Sequence, residues 1–214
     1  MKSTEFLKEW APSQKEQRND AEDAWEQIKK NIVQIGKECK PYLSQVQDPF
    51  GLYRGVAGGA GLVIKKRVRL DDRQPLGMEK RMQVMVNKFF TKKFGAPFRF
   101  SMLCTGEQWV AKQFGEVYII FPIGDFEILW ANDVEDLNEH IWHFEESFGD
   151  KIEYSDIVQF LGDKDYRTND IKSAIASGKE IMIRTKGYYG LNLDDLRGQG
   201  KDEVQSLLEK GMEL

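Results

Sequence analysis

Phe98-Arg99-Phe100-Ser101-Met102-Leu103-Cys104-Thr105-Gly106-Glu107-Gln108-Trp109-Val110-Ala111-Lys112-Gln113-Phe114-Gly115-Glu116-Val117-Tyr118-Ile119-Ile120-Phe121-Pro122 is the stretch whose reading decides the fold. Phe98 to Gly106 reads as a strand that ends in small polar residues. Glu107 to Phe114 reads as a short helix closed by Gly115. Glu116 to Pro122 reads as a buried strand, since the apolar run that starts at Val117 fills most of it. Short strands with short helices between them predict an α+β domain.

The same alternation continues outward. Downstream, Phe126 to Trp130 is a strand after the Gly124-Asp125 turn, and Val134 to Phe148 is an acidic helical segment. Ile171 to Ala176 is a short helix closed by Gly178. Glu180 to Arg184 is a strand, Lys186-Gly187 a turn, and Tyr188 to Leu193 its hairpin partner. Asp202 to Met212 forms a terminal helix. Upstream, Gly77 to Phe94 reads as a basic amphipathic helix whose Met and Phe stripe faces a core, stopped by Gly95-Ala96-Pro97. Asp48-Pro49-Phe50-Gly51 is a turn into a short strand, Leu52 to Val56. Gly55, Gly58, Gly59 and Gly61 match no phosphate-binding loop and read as a flexible turn between strands. Residues 1–47 are polar and helical, with a first segment ended by Trp10 and Pro12 and a long helix from Gln14 to about Lys40, ended by Pro41. We therefore expect an N-terminal helical appendage over 1–47, packing one face on the main domain or docking another subunit, and an α+β domain over 48–214.

Composition removes other classes. The 214 residues are 41% hydrophobic, too apolar for a disordered chain. The longest apolar run, Val117 to Ile123, is far below the ~18 residues of a membrane span, so no membrane partner is expected. Met1 to Glu5 shows no apolar signal region. Two cysteines and two histidines suit neither a disulfide scaffold nor a zinc site. The net charge of −4 argues against general affinity for nucleic acid. That total hides ten Lys/Arg against three Asp/Glu from Lys65 to Lys93, and twelve Asp/Glu against one Lys from Asp125 to Asp163.

Candidate chemistry falls into three groups. His140 and His143, three apart on a helix, lack further ligands and read as solvated or packing side chains. Cys104 has no base nearby in sequence to make it a nucleophile. The third group is more specific. Arg54 stands on a strand, where a guanidinium can hold a diphosphate bidentately. Cys104-Thr105-Gly106 ends a second strand and leads into a helix carrying Ala111 and Phe114. Glu180 opens a late strand.

In that order of pieces, Tyr53-Arg54-Gly55, then Thr105-Gly106 with Ala111-x-x-Phe114-Gly115, then Glu180-Ile181-Met182-Ile183, the chain resembles the ADP-ribosyltransferase fold of the arginine–serine–glutamate type. The match spans about Phe50 to Leu193. In texture, Phe121 to Gly124 and Asp133 to Leu137 also look like related proteins of tailed phages. The resemblance implies a split β-sheet core with short helices, NAD as the cofactor, and cleavage of the nicotinamide–ribose bond with transfer of ADP-ribose to a protein acceptor. It implies that Arg54, flanked by Tyr53 and Gly55, clamps the pyrophosphate. Thr105, with Ser101 nearby, would hold the nicotinamide ribose or orient the glutamate. Glu180 would bind the ribose 2′-hydroxyl and stabilise the oxocarbenium-like state, and Phe114, Tyr188 or Tyr189 would stack on nicotinamide. The catalytic set is thus Glu180, Thr105 and Arg54. The family's middle motif is usually Ser-Thr-Ser and is Leu103-Cys104-Thr105 here. The position two before the glutamate, often Glu or Gln, is Gly178. Such a protein would act in a host cytoplasm or within a virion. The alternative is a virion or head-assembly protein that keeps the fold without catalysis, its polar helix and opposed charge segments serving subunit packing.

Overall fold

The computed structural model describes residues 14–58, 61–72, 77–148, 151–196 and 200–214, with 14–24 and 195–196 described by backbone alone. The first segment at Trp10 and Pro12, and Gly59, lie outside the described residues. In chain order the elements are α1 (Gln14–Glu38), α2 (Lys40–Leu43), β1 (Tyr53–Val56), β2 (Val63–Arg67), α3 (Lys80–Phe94), a 3-10 turn (Phe98–Phe100), β3 (Met102–Thr105), α4 (Gln108–Lys112), β4 (Glu116–Pro122), β5 (Glu127–Ala131), α5 (Leu137–Phe148), α6 (Tyr154–Gly162), β6 (Tyr166–Arg167), α7 (Ile171–Ser177), β7 (Glu180–Arg184), β8 (Gly187–Asn192), α8 (Leu193–Leu196) and α9 (Lys201–Met212). The protein is mixed α+β.

The eight strands form one antiparallel sheet in the order β2-β8-β4-β1-β3-β7-β5-β6. Its two halves meet at a weak seam. β1 and β3 share a single residue pair, Tyr53 with Thr105, whereas β1 pairs with β4 from Tyr53 to Val56. One seam pair leaves neighbouring backbone free to diverge, and a cleft opens there.

Two expectations are corrected. Phe98 to Gly106 is not one strand: Ser101 N–H closes the 3-10 turn onto Phe98 O, and β3 begins only at Met102. Pro97 just before the turn has no N–H to give a ladder. Tyr188 to Leu193 is not the hairpin partner of the preceding strand. β7 already has β3 on one side and β5 on the other, so β8 crosses to β4 and β2. The corner is held by Thr185 Oγ1, which donates to Ile123 O at 2.8 Å, and by Ile123 N–H, which donates to Gly187 O.

Helix ends follow local chemistry. Gly95 ends α3 in the left-handed region at φ 82°, and its N–H donates to Thr91 O. Asp170 caps α7 by accepting from Ser173 N–H at 3.1 Å. On one face of the sheet, α3 buries Met82, Val86 and Phe90 against Leu129 and Met182. Its basic side meets the acidic segment directly: Arg81 donates to Ile152 O at 2.7 Å, and Lys88 lies over the Tyr154 ring.

α1 and α2 share the core of the sheet. Ile32, Ile35, Cys39 and Tyr42 are fully buried in one cluster with Leu52, Ile119 and Phe121. α1 is fixed by α9, and their crossing depends on two glycines. A Cβ on Gly36 would stand 2.2 Å from Leu208 O, and one on Gly211 would stand 2.1 Å from Val33 O. Each obstacle is backbone, which cannot swing away. Gly36→Ala is therefore expected to lower stability by about 1–3 kcal/mol, seen as a lower melting temperature and faster proteolysis within α1. Unchanged melting would show that the helices part freely.

Candidate functional site

The seam opens onto a cavity of about 420 Å³, within the range of small-molecule sites. Sheet register explains one side of its lining. Arg54 stands opposite Tyr118, Tyr118 opposite Asn192, and Lys66 opposite Tyr188. Opposed residues share a face, as do residues two or four apart along a strand. Arg54, Tyr188 and Lys66 therefore lie on one face of the half-sheet, and all three line the cavity. Thr105 opposes Glu180 across β3 and β7, which brings both to the far side of the seam.

Of the residues expected from sequence, Tyr53, Arg54, Gly55, Thr105, Phe114, Glu180 and Tyr188 all line this one cavity. Ser101 and Tyr189 do not. Ser101 is fully buried at the end of the 3-10 turn, outside β3. Tyr189 carries the Lys65 ammonium 4.7 Å from its ring centre, beside Glu38. It alternates with Tyr188 along β8 and so points to the opposite face.

Each side chain has a distinct setting. Arg54 Nη1 donates to Leu103 O at 2.6 Å, which bridges the seam and aims the guanidinium. Among the described residues no carboxylate lies in ion-pair range of Arg54 or of Lys66. Thr105 Oγ1 donates to Gly178 O at 2.7 Å and accepts from Glu107 N–H at 3.1 Å, so it locks the end of β3 to the approach of β7. Tyr53 hydroxyl accepts from Gln108 Nε2 at 3.0 Å. Phe114 is 55% exposed at the rim, while Tyr188 is buried.

Gly55 lines the cavity, yet its decisive role is packing. A Cβ there would stand 2.1 Å from Ala111 O and 2.8 Å from Phe114 Cβ, so only glycine lets α4 press on β1. Gly178 has φ 70° at the C-terminus of α7, and a Cβ would stand 2.7 Å from Glu107 Cγ. Glycine adopts that left-handed conformation at little cost, whereas the Glu or Gln usual in the resembled family would be strained there.

Glu180 is nearly buried, and its backbone N–H donates to Glu135 O at 3.1 Å. This tether brings the loop before α5, with Glu135 and Asp136, to the cavity wall. Sequence reading missed both, because they lie 45 and 44 positions from Glu180. It also missed Arg99, whose Nη1 stands 2.8 Å from each Glu180 oxygen. Read as strand, Arg99 carried no signal of a charge turned inward.

Arg54 and Lys66 stand on one side of the seam, and Glu135, Asp136 and Glu180 on the other, where Arg99 pairs with Glu180 and Lys179 with Glu135. His140 and His143 line a second groove with Glu139 and Phe148, and Glu135 lines both it and the cavity. No group of three or more His, Cys, Asp or Glu able to hold a metal ion is found among the described residues. Cys104 is buried, and burial pushes the Cys39 thiol far up from its ordinary range. No helix among the described residues is long and apolar enough to cross a membrane. Comparison with family models, with curated proteins and with solved structures finds no match to this chain.

Proposed function

We propose that this protein is an NAD-dependent ADP-ribosyltransferase of the arginine–serine–glutamate type. One observation carries the reading. Arg54, Thr105 and Glu180, drawn from three separated parts of the chain, line a single ligand-sized cavity. The charge layout supports the same substrate. NAD carries an anionic diphosphate, and Arg54 and Lys66, which have no carboxylate partner among the described residues, stand across the seam from Glu180.

Arg54 holds the diphosphate, helped by Lys66 at the rim. Glu180 lies where it can accept from a ribose hydroxyl. As the C–N glycosidic bond breaks, its electron pair leaves with nicotinamide and positive charge grows on the ribose. A fixed carboxylate stabilises that charge more than it stabilises the ground state. Thr105 acts through the strand ends it ties together, since its donor is committed to Gly178 O. Tyr188 and Phe114 supply aromatic walls for a flat ring. The acceptor is a protein nucleophile in a host cell or a virion, and its proton passes to water.

The test is release of nicotinamide from NAD by the purified protein. Arg54→Ala is expected to weaken NAD binding by about 10- to 100-fold, the scale of a charge-assisted hydrogen bond pair, measured by calorimetry. A wild-type protein that neither binds nor consumes NAD would falsify the reading.

A further inference from the structure

Glu180 is held by a partner that its own strand does not supply. Arg99 sits on the 3-10 turn between α3 and β3, with its side chain 4% exposed. One terminal nitrogen, Nη1, stands 2.8 Å from Oε1 and 2.8 Å from Oε2 of Glu180. The turn itself is anchored from behind, because Arg99 N–H donates to Oδ1 of the buried Asn87 on α3 at 2.9 Å. Arg99 thus differs from the other cations of the cavity. Arg54 and Lys66 have no carboxylate partner among the described residues, whereas Arg99 is engaged with Glu180.

A carboxylate has about four lone-pair sites, two on each oxygen. A single donor placed between the oxygens uses one direction on each and leaves the others open. It also fixes the plane of the group and balances a charge that is costly to bury alone. We propose that Arg99 is a positioning residue for Glu180. It sets the direction in which the carboxylate presents its free lone pairs to the cavity and compensates its charge while the site is empty and while it is filled. This role rests on the reading of Glu180 as the carboxylate that meets the developing positive charge.

The guanidinium is planar and rigid where a lysine ammonium is a mobile point charge. Arg99→Lys keeps the charge and loses the geometry. A misplacement of about 1 Å can cost about 10²-fold in rate.

The experiment measures nicotinamide release and NAD affinity for wild type and Arg99→Lys, with melting curves on both. The expected result is a kcat lowered by about 10²-fold, with KM and the calorimetric Kd for NAD within about threefold, the span here taken as unchanged binding. Arg99→Gln, which keeps an N–H donor without the charge, gives the same reading if the lysine variant does not fold. A variant with wild-type kcat overturns the positioning role. So does a raised Kd with kcat intact, which would make Arg99 a ligand-binding cation instead. A wild-type protein that leaves NAD untouched overturns the proposed function itself, and the role of Arg99 with it.

Discussion

Glu180→Gln is expected to lower nicotinamide release by at least about 10²- to 10³-fold, the scale of losing one preorganised electrostatic contact in a closed site. The amide keeps the shape of the side chain and an oxygen that can accept from Arg99. What it removes is the negative charge that, in the proposed function, would stand beside the ribose. NAD affinity should change little, because the diphosphate would be held across the seam by Arg54 and Lys66. The loss therefore belongs in kcat rather than KM.

Loss of fold has to be separated from loss of chemistry. Removing one member of a buried ion pair costs about 3–5 kcal/mol when the other is left uncompensated. Arg99, buried at 2.8 Å from both carboxylate oxygens, is such a partner. Glu180→Gln should thus melt earlier than wild type. Arg99→Met combined with Glu180→Gln should melt later than Arg99→Met alone, because no unpaired charge remains. Activity stays absent in the double variant although its fold recovers. If Glu180→Gln releases nicotinamide at the wild-type rate while folded, Glu180 is an ion-pair partner only.

Gly55→Ala carries the second large effect, through space rather than charge. Its added methyl would stand 2.1 Å from Ala111 O and 2.9 Å from the backbone carbon of Phe114. Neither obstacle is the end of a flexible side chain, so α4 must move away from β1. Overpacking of this kind costs about 1–3 kcal/mol, and for a domain of this size each kcal/mol lowers the melting temperature by roughly 2–4 °C. Val110, Ala111 and Phe114 form one wall of the cavity. Displacing them widens the site, and NAD binding should weaken together with stability. Melting curves and calorimetry on one preparation check both. Gly58→Ala is the control, because a Cβ there meets nothing within 4 Å, although φ is 61°. Its effect should be confined to local backbone strain, with no methyl pressed against α4.

The local elements were largely legible in the amino-acid order. Apolar runs and glycine punctuation marked β4, α4, β7 and α9, since helix and strand periodicity is set by which neighbours can face a core. Arg54, Thr105 and Glu180 stood out because each sat at a strand position with a recognisable local setting. Gly178 was legible as the end of a helix, though its backbone at φ 70° was not.

Pairing was another matter. β7 and β8 are adjacent in sequence with a turn between them, yet they lie in different halves of the sheet, because a strand has only two edges and β3 and β5 occupy both of β7. Nor does the order of residues announce that β1 and β3 touch at one pair and then part. Arg99 and Glu135 approach Glu180 from 81 and 45 positions away, and no short-range pattern encodes such a meeting. The sequence by itself determined most of the longer strands and helices, though not β2, α6, β6 or the 3-10 turn at Phe98–Phe100, and which residues bear the candidate chemistry. The tertiary structure alone decided that a seam opens between β1 and β3, that Arg54 and Glu180 face one cavity across it, and that the carboxylate of Glu180 is gripped by a buried arginine. Charge compensation and cavity shape are properties of distance in space, which chain order does not carry.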